Sequence, residues 1–235
     1  MIDEDDIEIS KKSSSENEPL PMAQLPDSFH VVEIIRDAQR GLVNAQLDLG
    51  TLYDEGRDGV AQNYLEAEKW YLKAAEQGHP EAQLKLGNIY YGGSNGVEQN
   101  YVEAVKWYRE AAEYWLAMIF PNSEELVYNK AKLQSHADAL ARLGHMYAEG
   151  KGVARSDDEA LGWYRIAAKR GNVDAQYALG VAYAMGRGVE QTYCGAVNWC
   201  GEAAEQGHIG ALNYLKELHA EGKGCVINNV KPTKD

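Results

Sequence analysis

One stretch, AQLDLGTLYDEGRDGVAQNYLEAEKWYLKAAEQG at residues 45–78, constrains this chain more than any other, because it recurs. Residues 82–113 restate it as AQLKLGNIYYGGSNGVEQNYVEAVKWYREAAE, residues 139–171 as ALARLGHMYAEGKGVARSDDEALGWYRIAAKRG, and residues 175–207 as AQYALGVAYAMGRGVEQTYCGAVNWCGEAAEQG. Self-similarity at such a period is the signature of a stacked array, in which each unit buries its apolar face on its neighbours.

Each copy reads as two helices around a glycine-rich turn. In the first helix, Leu49, Gly50 and Tyr53 return as Leu86-Gly87-Tyr90, Leu143-Gly144-Tyr147 and Leu179-Gly180-Tyr183. A glycine inside a helix costs about 1 kcal/mol against alanine, so four copies imply a steric reason: close approach of the second helix's backbone. The turns carry Gly56 and Gly59, Gly92 and Gly96, Gly150 and Gly152, and Gly186 and Gly188, the first of each suiting a C-terminal cap. Val60, Val97, Val153 and Val189 should turn inward. Asn63, Asn100, Ser156 and Thr192 are good N-caps, and Glu66, Glu103 and Glu159 complete capping boxes in three units. The second helix places Ala67, Trp70, Tyr71, Ala74 and Ala75, with equivalents elsewhere, on one face.

The spacing also locates an insertion. Gly50 to Gly87 is 37 residues and Gly144 to Gly180 is 36, but Gly87 to Gly144 is 57. The second repeat therefore runs over 82–138 with an insertion at 114–134. Its second helix should continue through Phe120 and break at Pro121. A short extra helix should start near Asn122 and close at 131–136, AKLQSH, an echo of 74–79. Trp115, Met118, Ile119 and Phe120 make this a second candidate surface. A capping half-repeat should occupy 28–41 and a terminal first helix 210–222. Residues 1–27, with acids, Ser13–Ser15 and three prolines, and residues 227–235 read as tails.

The pattern A-x-x-x-LG-x-x-Y-x-x-G-x-GV followed by A-x-x-WY-x-x-AAEQG resembles the Sel1-like repeat, a relative of the tetratricopeptide repeat, over 45–226. The resemblance implies an all-α fold, a right-handed α/α superhelical solenoid whose first helices line a concave face. It also implies scaffold or adaptor work in signalling, secretion or host–pathogen contact. A cysteine-rich subgroup ties each helix pair with a disulfide. Here Ala75, Ala112, Ala168 and Ala204 stand where that cysteine is expected.

Groove positions of the related tetratricopeptide fold flank the first-helix glycine at −6, −3, +1, +4 and +5. They select Asn44, Leu47, Thr51, Asp54 and Glu55; Leu84, Asn88 and Tyr91; Asp138, His145 and Glu149; Tyr177, Val181 and Met185; and Asn213, Glu217 and Glu221. Glu55, Glu149 and Glu221 sit in last turns, where the helix dipole disfavours an anion, a hint that they meet a basic partner residue.

Net charge is −13, from 36 acidic and 23 basic residues. Such a surface repels nucleic acid and anionic membranes and suits a protein or peptide partner, a basic one being steered in by the field. No run is apolar enough for a membrane span, and the acidic N-terminus is unlike a secretory signal. Cys194, Cys200 and Cys225 are an odd, sparse set, which fits a reducing, cytoplasmic setting better than a disulfide framework. Cys200 reads as a small core residue. His79, His136 and His208 occupy equivalent turns, so repetition explains them; His145 should face the groove, though an exposed polar residue is the plainer reading. No metal, cofactor or catalytic motif is called for. The expected function is a non-catalytic protein-binding scaffold. An intracellular immunity or inhibitor protein is the alternative, and an enzyme such as a hydrolase the reading with least support.

Overall fold

The computed structural model describes residues 29–93, 96–118 and 130–224. The first helix, α1 (Phe29–Gln39), precedes four pairs: α2 (Val43–Glu55) with α3 (Tyr64–Glu76), α4 (Pro80–Gly92) with α5 (Tyr101–Met118), α6 (Lys130–Glu149) with α7 (Asp157–Lys169), and α8 (Val173–Met185) with α9 (Tyr193–Glu205). A last helix, α10 (Ile209–Ala220), follows. Each helix packs on its neighbours in the chain, and α4, α6 and α8 also touch along one side. The result is a right-handed α/α solenoid with the first helices on its inner row. Two large apolar clusters, one from Val31 to Trp107 and one from Leu84 to Ala182, form its core.

The helical glycines have a steric reason, though not the expected one. A Cβ on Gly50, Gly87 or Gly144 would lie 2.6, 2.5 or 2.6 Å from Cδ1 of Tyr71, Tyr108 or Tyr164. A tyrosine ring from the second helix, rather than its backbone, fills the space. At Gly180, where Cys200 replaces the tyrosine, the Cys200 Sγ is the nearest atom, and backbone atoms of α9 also approach the Cβ position to 3.1 Å. Leu49, Leu86, Leu143 and Leu179, one residue before these glycines, are fully buried.

Asn63, Ser156 and Thr192 accept N–H bonds at the starts of α3, α7 and α9, and Asn100 does so from Val102 and Glu103. The reciprocal half of the capping box does not form. The backbone N–H of Asn63, Asn100, Ser156 and Thr192 donates instead to the carbonyl of Tyr53, Tyr90, Tyr147 and Tyr183. That bond ties the end of each first helix to the start of the second, and Glu66 and Glu103 are left to pair with Lys69 and Lys106. In the second unit Gly92 is the last helical residue and Gly93, at φ +65°, is the cap.

Three buried glutamines join successive units. Gln46, Gln83 and Gln176 donate from Nε2 to the carbonyls of Ala38, Ala75 and Ala168, in the last turns of α1, α3 and α7. Helix ends leave such carbonyls without intrahelical partners. The equivalent position before Gly144 is Leu140, fully buried. The reason is the insertion. α6 is one unbroken helix of 20 residues, so no helix end lies there to be satisfied. This corrects two expectations: 131–136 is not the close of a separate helix, and His136 is a buried residue within α6 rather than a turn residue. His79 and His208 do sit at turns, where each Nδ1 caps the following helix; Asn172 does the same for α8. The extension of α5 to Met118 agrees with the expected longer helix. The rest of the expected insertion helix and both tails fall outside the described residues, as do the side chains of Trp115 and Met118.

Cys200 is buried and free, and burial pushes its thiol up to about 11. Cys194, near the start of α9, is disulfide-bonded. That corrects the expectation of a disulfide-free chain and removes its support for a reducing compartment. The cysteine lies outside the alanine column where the cysteine-rich subgroup carries its own, which is why comparing columns did not reveal it. Among the described residues no helix is long and apolar enough to cross a membrane.

Candidate functional site

The inner row carries the first-helix side chains that change from unit to unit. Asn88, Glu149, Met185, Glu217 and Glu221 are exposed, and Tyr91, His145, Tyr177 and Val181 partly so. Leu84 is the exception: it is buried in the core and lines nothing. Asp138 accepts from Asn172 Nδ2 at 2.7 Å, across the base of the third unit.

Reading the chain column by column did not show where the second-helix tyrosines end. Having passed the helical glycine, the hydroxyl of Tyr71 reaches Thr51 Oγ1 at 3.3 Å and Asp54 Oδ2 at 3.1 Å, and that of Tyr108 donates to Asn88 Oδ1 at 2.8 Å. Burial raises the pKa of Tyr71, Tyr108 and Tyr164, so all three remain protonated donors. In the fourth unit Cys200 carries no hydroxyl, and the +1 residue there is apolar, Val181. The sequence signal was the pairing of a tyrosine in one helix with a polar +1 residue in the other.

A second regularity crosses between units. The residue two before the glycine of one unit meets the residue four after the glycine of the unit before. Lys85 Nζ meets Asp54 Oδ2 at 3.6 Å, and the Arg142 guanidinium lies 5.2 Å from the centre of the Tyr91 ring. Tyr91 is edge-on to Tyr101 at 5.6 Å, and Lys151 lies over Tyr101. At the far end Tyr177 stacks on His208 at 4.6 Å and meets Tyr214 edge-on.

The last-turn carboxylates are not waiting for a partner's cation. Glu55 pairs with Arg57 at 2.9 Å, Glu149 with Lys151 at 2.6 Å and Glu221 with Lys223 at 2.7 Å. In each the cation stands two residues on, across a glycine, and offsets the unfavourable helix dipole. Lys151, then His145, holds the Glu149 carboxyl below its ordinary value. Away from this row, a cavity of about 400 Å³ opens beside the α3–α4 turn, lined by residues including Asn44, His79, Glu81, Tyr114 and His136. Asn44 faces that cavity. No group of three potential metal ligands occurs among the described residues.

These columns can be set against known proteins. The Sel1 repeat matches residues 43–79, 80–113, 137–172 and 173–208. The chain belongs to the Sel1 repeat family. A Sel1 repeat protein from Oxalobacter formigenes is 35% identical, with a TM-score of 0.65 over 83% of this chain and 76% of that one. A protective antigen of uropathogenic Escherichia coli with an SLR fold is 34% identical, with a TM-score of 0.69 over 83% of this chain. The chain spans only 37% of that antigen. An immunity protein from Pseudomonas aeruginosa is 22% identical with a TM-score of 0.40, too remote to bear on function. No curated protein matches the chain. Sel1 repeats are protein-interaction modules, and their family is typically a non-catalytic scaffold.

Proposed function

We propose that this chain is a non-catalytic scaffold that binds a segment of a partner protein along its inner row. The observation that carries this reading is the separation of roles within the repeat. The Leu-Gly-Tyr, Trp-Tyr and capping positions are occupied by packing. Asn88, Met185 and Glu217 differ from unit to unit, are exposed, and share the inner row. Met185 is 51% exposed there, and an apolar side chain open to solvent in a groove is the kind of group a partner covers. Asp54, Glu55, Tyr91, His145, Glu149, Tyr177, Val181 and Glu221 would frame the same surface. An immunity protein is the special case in which the occupant is a toxin.

Affinity capture from a lysate tests the reading. The triple variant Asn88→Ala, Met185→Ala and Glu217→Ala should lose the proteins that the wild-type chain retains, while Glu110→Ala and Glu205→Ala on the second helices should keep them. Retention by the inner-row variant, with loss on the second-helix variant, would overturn the proposal. One protein surviving stringent washing would support the immunity form; several washed off together would support the adaptor form.

A further inference from the structure

Among the described residues, one contact between units of the inner row carries a cation without an ion pair. At the contact between the first and second units, Lys85 is closed by the carboxylate of Asp54. At the same contact between the second and third units, the cation is Arg142 and the residue facing it is Tyr91, an aromatic face with no charge to neutralise it. Arg142 is exposed and makes no ion pair among the described residues. Lys151 is bound to Glu149, which also meets His145, and Asp138, one turn before Arg142, accepts from the Asn172 amide.

A neutral donor stands close by. Tyr108 donates its hydroxyl to Asn88 Oδ1, which leaves the NH2 group of the exposed Asn88 with no hydrogen-bond partner among the described residues. The Arg142 charge is near enough to pull down the Tyr108 pKa against the effect of burial, so guanidinium and amide flank the same hydroxyl. The ring of Tyr91, held edge-on by Tyr101, gives the guanidinium a flat support. Such stacking leaves the in-plane N–H groups free for a planar, two-oxygen acceptor.

We infer that Arg142 and Asn88, set around Tyr91 and Tyr108, form a subsite for an acidic side chain, Asp or Glu, within the partner segment. This rests on the inner row being the binding surface and reverses the partner polarity suggested by net charge. The field of −13 acts over the whole surface, but a contact ion is governed by charges within the roughly 8 Å Debye length. There, among the described residues, Arg142 has an aromatic ring against it and no carboxylate in ion-pair contact.

The test uses acetylated, amidated pentapeptides Ala-Leu-Xaa-Leu-Ala with Glu, Gln or Lys at the centre. A fourth peptide has central Gln and a free C-terminus as its only carboxylate. Each is titrated into the full chain to millimolar concentration, followed by amide and Arg side-chain chemical shifts. The Glu peptide should bind about tenfold tighter than the Gln peptide, as expected for one charge-assisted contact. It should shift the Asn88 NH2 and Arg142 Nε signals, and Arg142→Gln should abolish the preference while Arg165→Gln leaves it. Equal or tighter binding of the Gln, Lys or free-C-terminus peptide overturns the subsite, as does a preference that survives Arg142→Gln. Failure of all four to bind also overturns it. If the Lys peptide binds and shifts inner-row signals, only the polarity is wrong. If shifts fall on the second helices alone, the inner-row reading fails too.

Discussion

A methyl group added at Gly87 would sit 2.5 Å from a Tyr108 ring carbon. Alanine favours the helix by about 1 kcal/mol, yet displacing a buried ring costs about 1–3 kcal/mol and also shifts the hydroxyl off Asn88. Gly87→Ala should therefore lower stability in urea unfolding. Gly162→Ala should do the opposite, raising it by up to about 1 kcal/mol, because nothing lies within 4 Å of its Cβ position in α7. Sequence alone showed that the repeated glycine was steric, because an unfavourable residue returned at one place four times. It did not show that the neighbour was a ring, since which side chain crosses between helices depends on their separation. A second prediction concerns pH. The Cys200 thiol is raised from 9.0 to about 11, so the stability it contributes is complete below about 9 and is lost as pH rises toward 11. Tyr71, Tyr108 and Tyr164 are raised too, which extends the loss above pH 10. Thermal midpoints should fall across this range, and Cys200→Ala should flatten the part below pH 10.

Helix ends decide how one element hands over to the next. Gln83→Leu would leave the Ala75 carbonyl with the Gly78 N–H but without its side-chain donor and should cost about 1 kcal/mol. Leu140→Gln should cost a similar amount for the reverse reason, because α6 runs through and a buried amide there finds no helix end. Chemical denaturation of both variants checks the pair, and a harmless Leu140→Gln would contradict the role given to the unbroken helix. The N-caps and most helix limits were legible, because capping residues and glycines are local signals. The fusion of 131–136 with the following helix was not. Those residues look like a helix end elsewhere in the chain, but the turn glycine of Gly78 is Ser135 here, with no left-handed stop. The missing glutamine in that column was the visible clue.

Across the whole molecule, repetition made the solenoid legible and left the site half-read. Net charge suggested a basic partner, but composition does not show which carboxylates are paired, and Glu55, Glu149 and Glu221 each have a cation two residues away. The disulfide at Cys194 lay outside every repeated column and was missed. Reducing it should lower the stability of the wild-type chain by about 2–4 kcal/mol and leave Cys194→Ser unchanged, read as the shift in urea midpoint with and without dithiothreitol. The central claim is that the inner row is the binding surface, and site-specific photo-cross-linking tests it most directly. A benzoylphenylalanine placed at Asn88 or Met185 should cross-link to a partner protein, and one placed at Glu110 or Glu205 on the second helices should not. Cross-links confined to the second-helix positions would contradict the account.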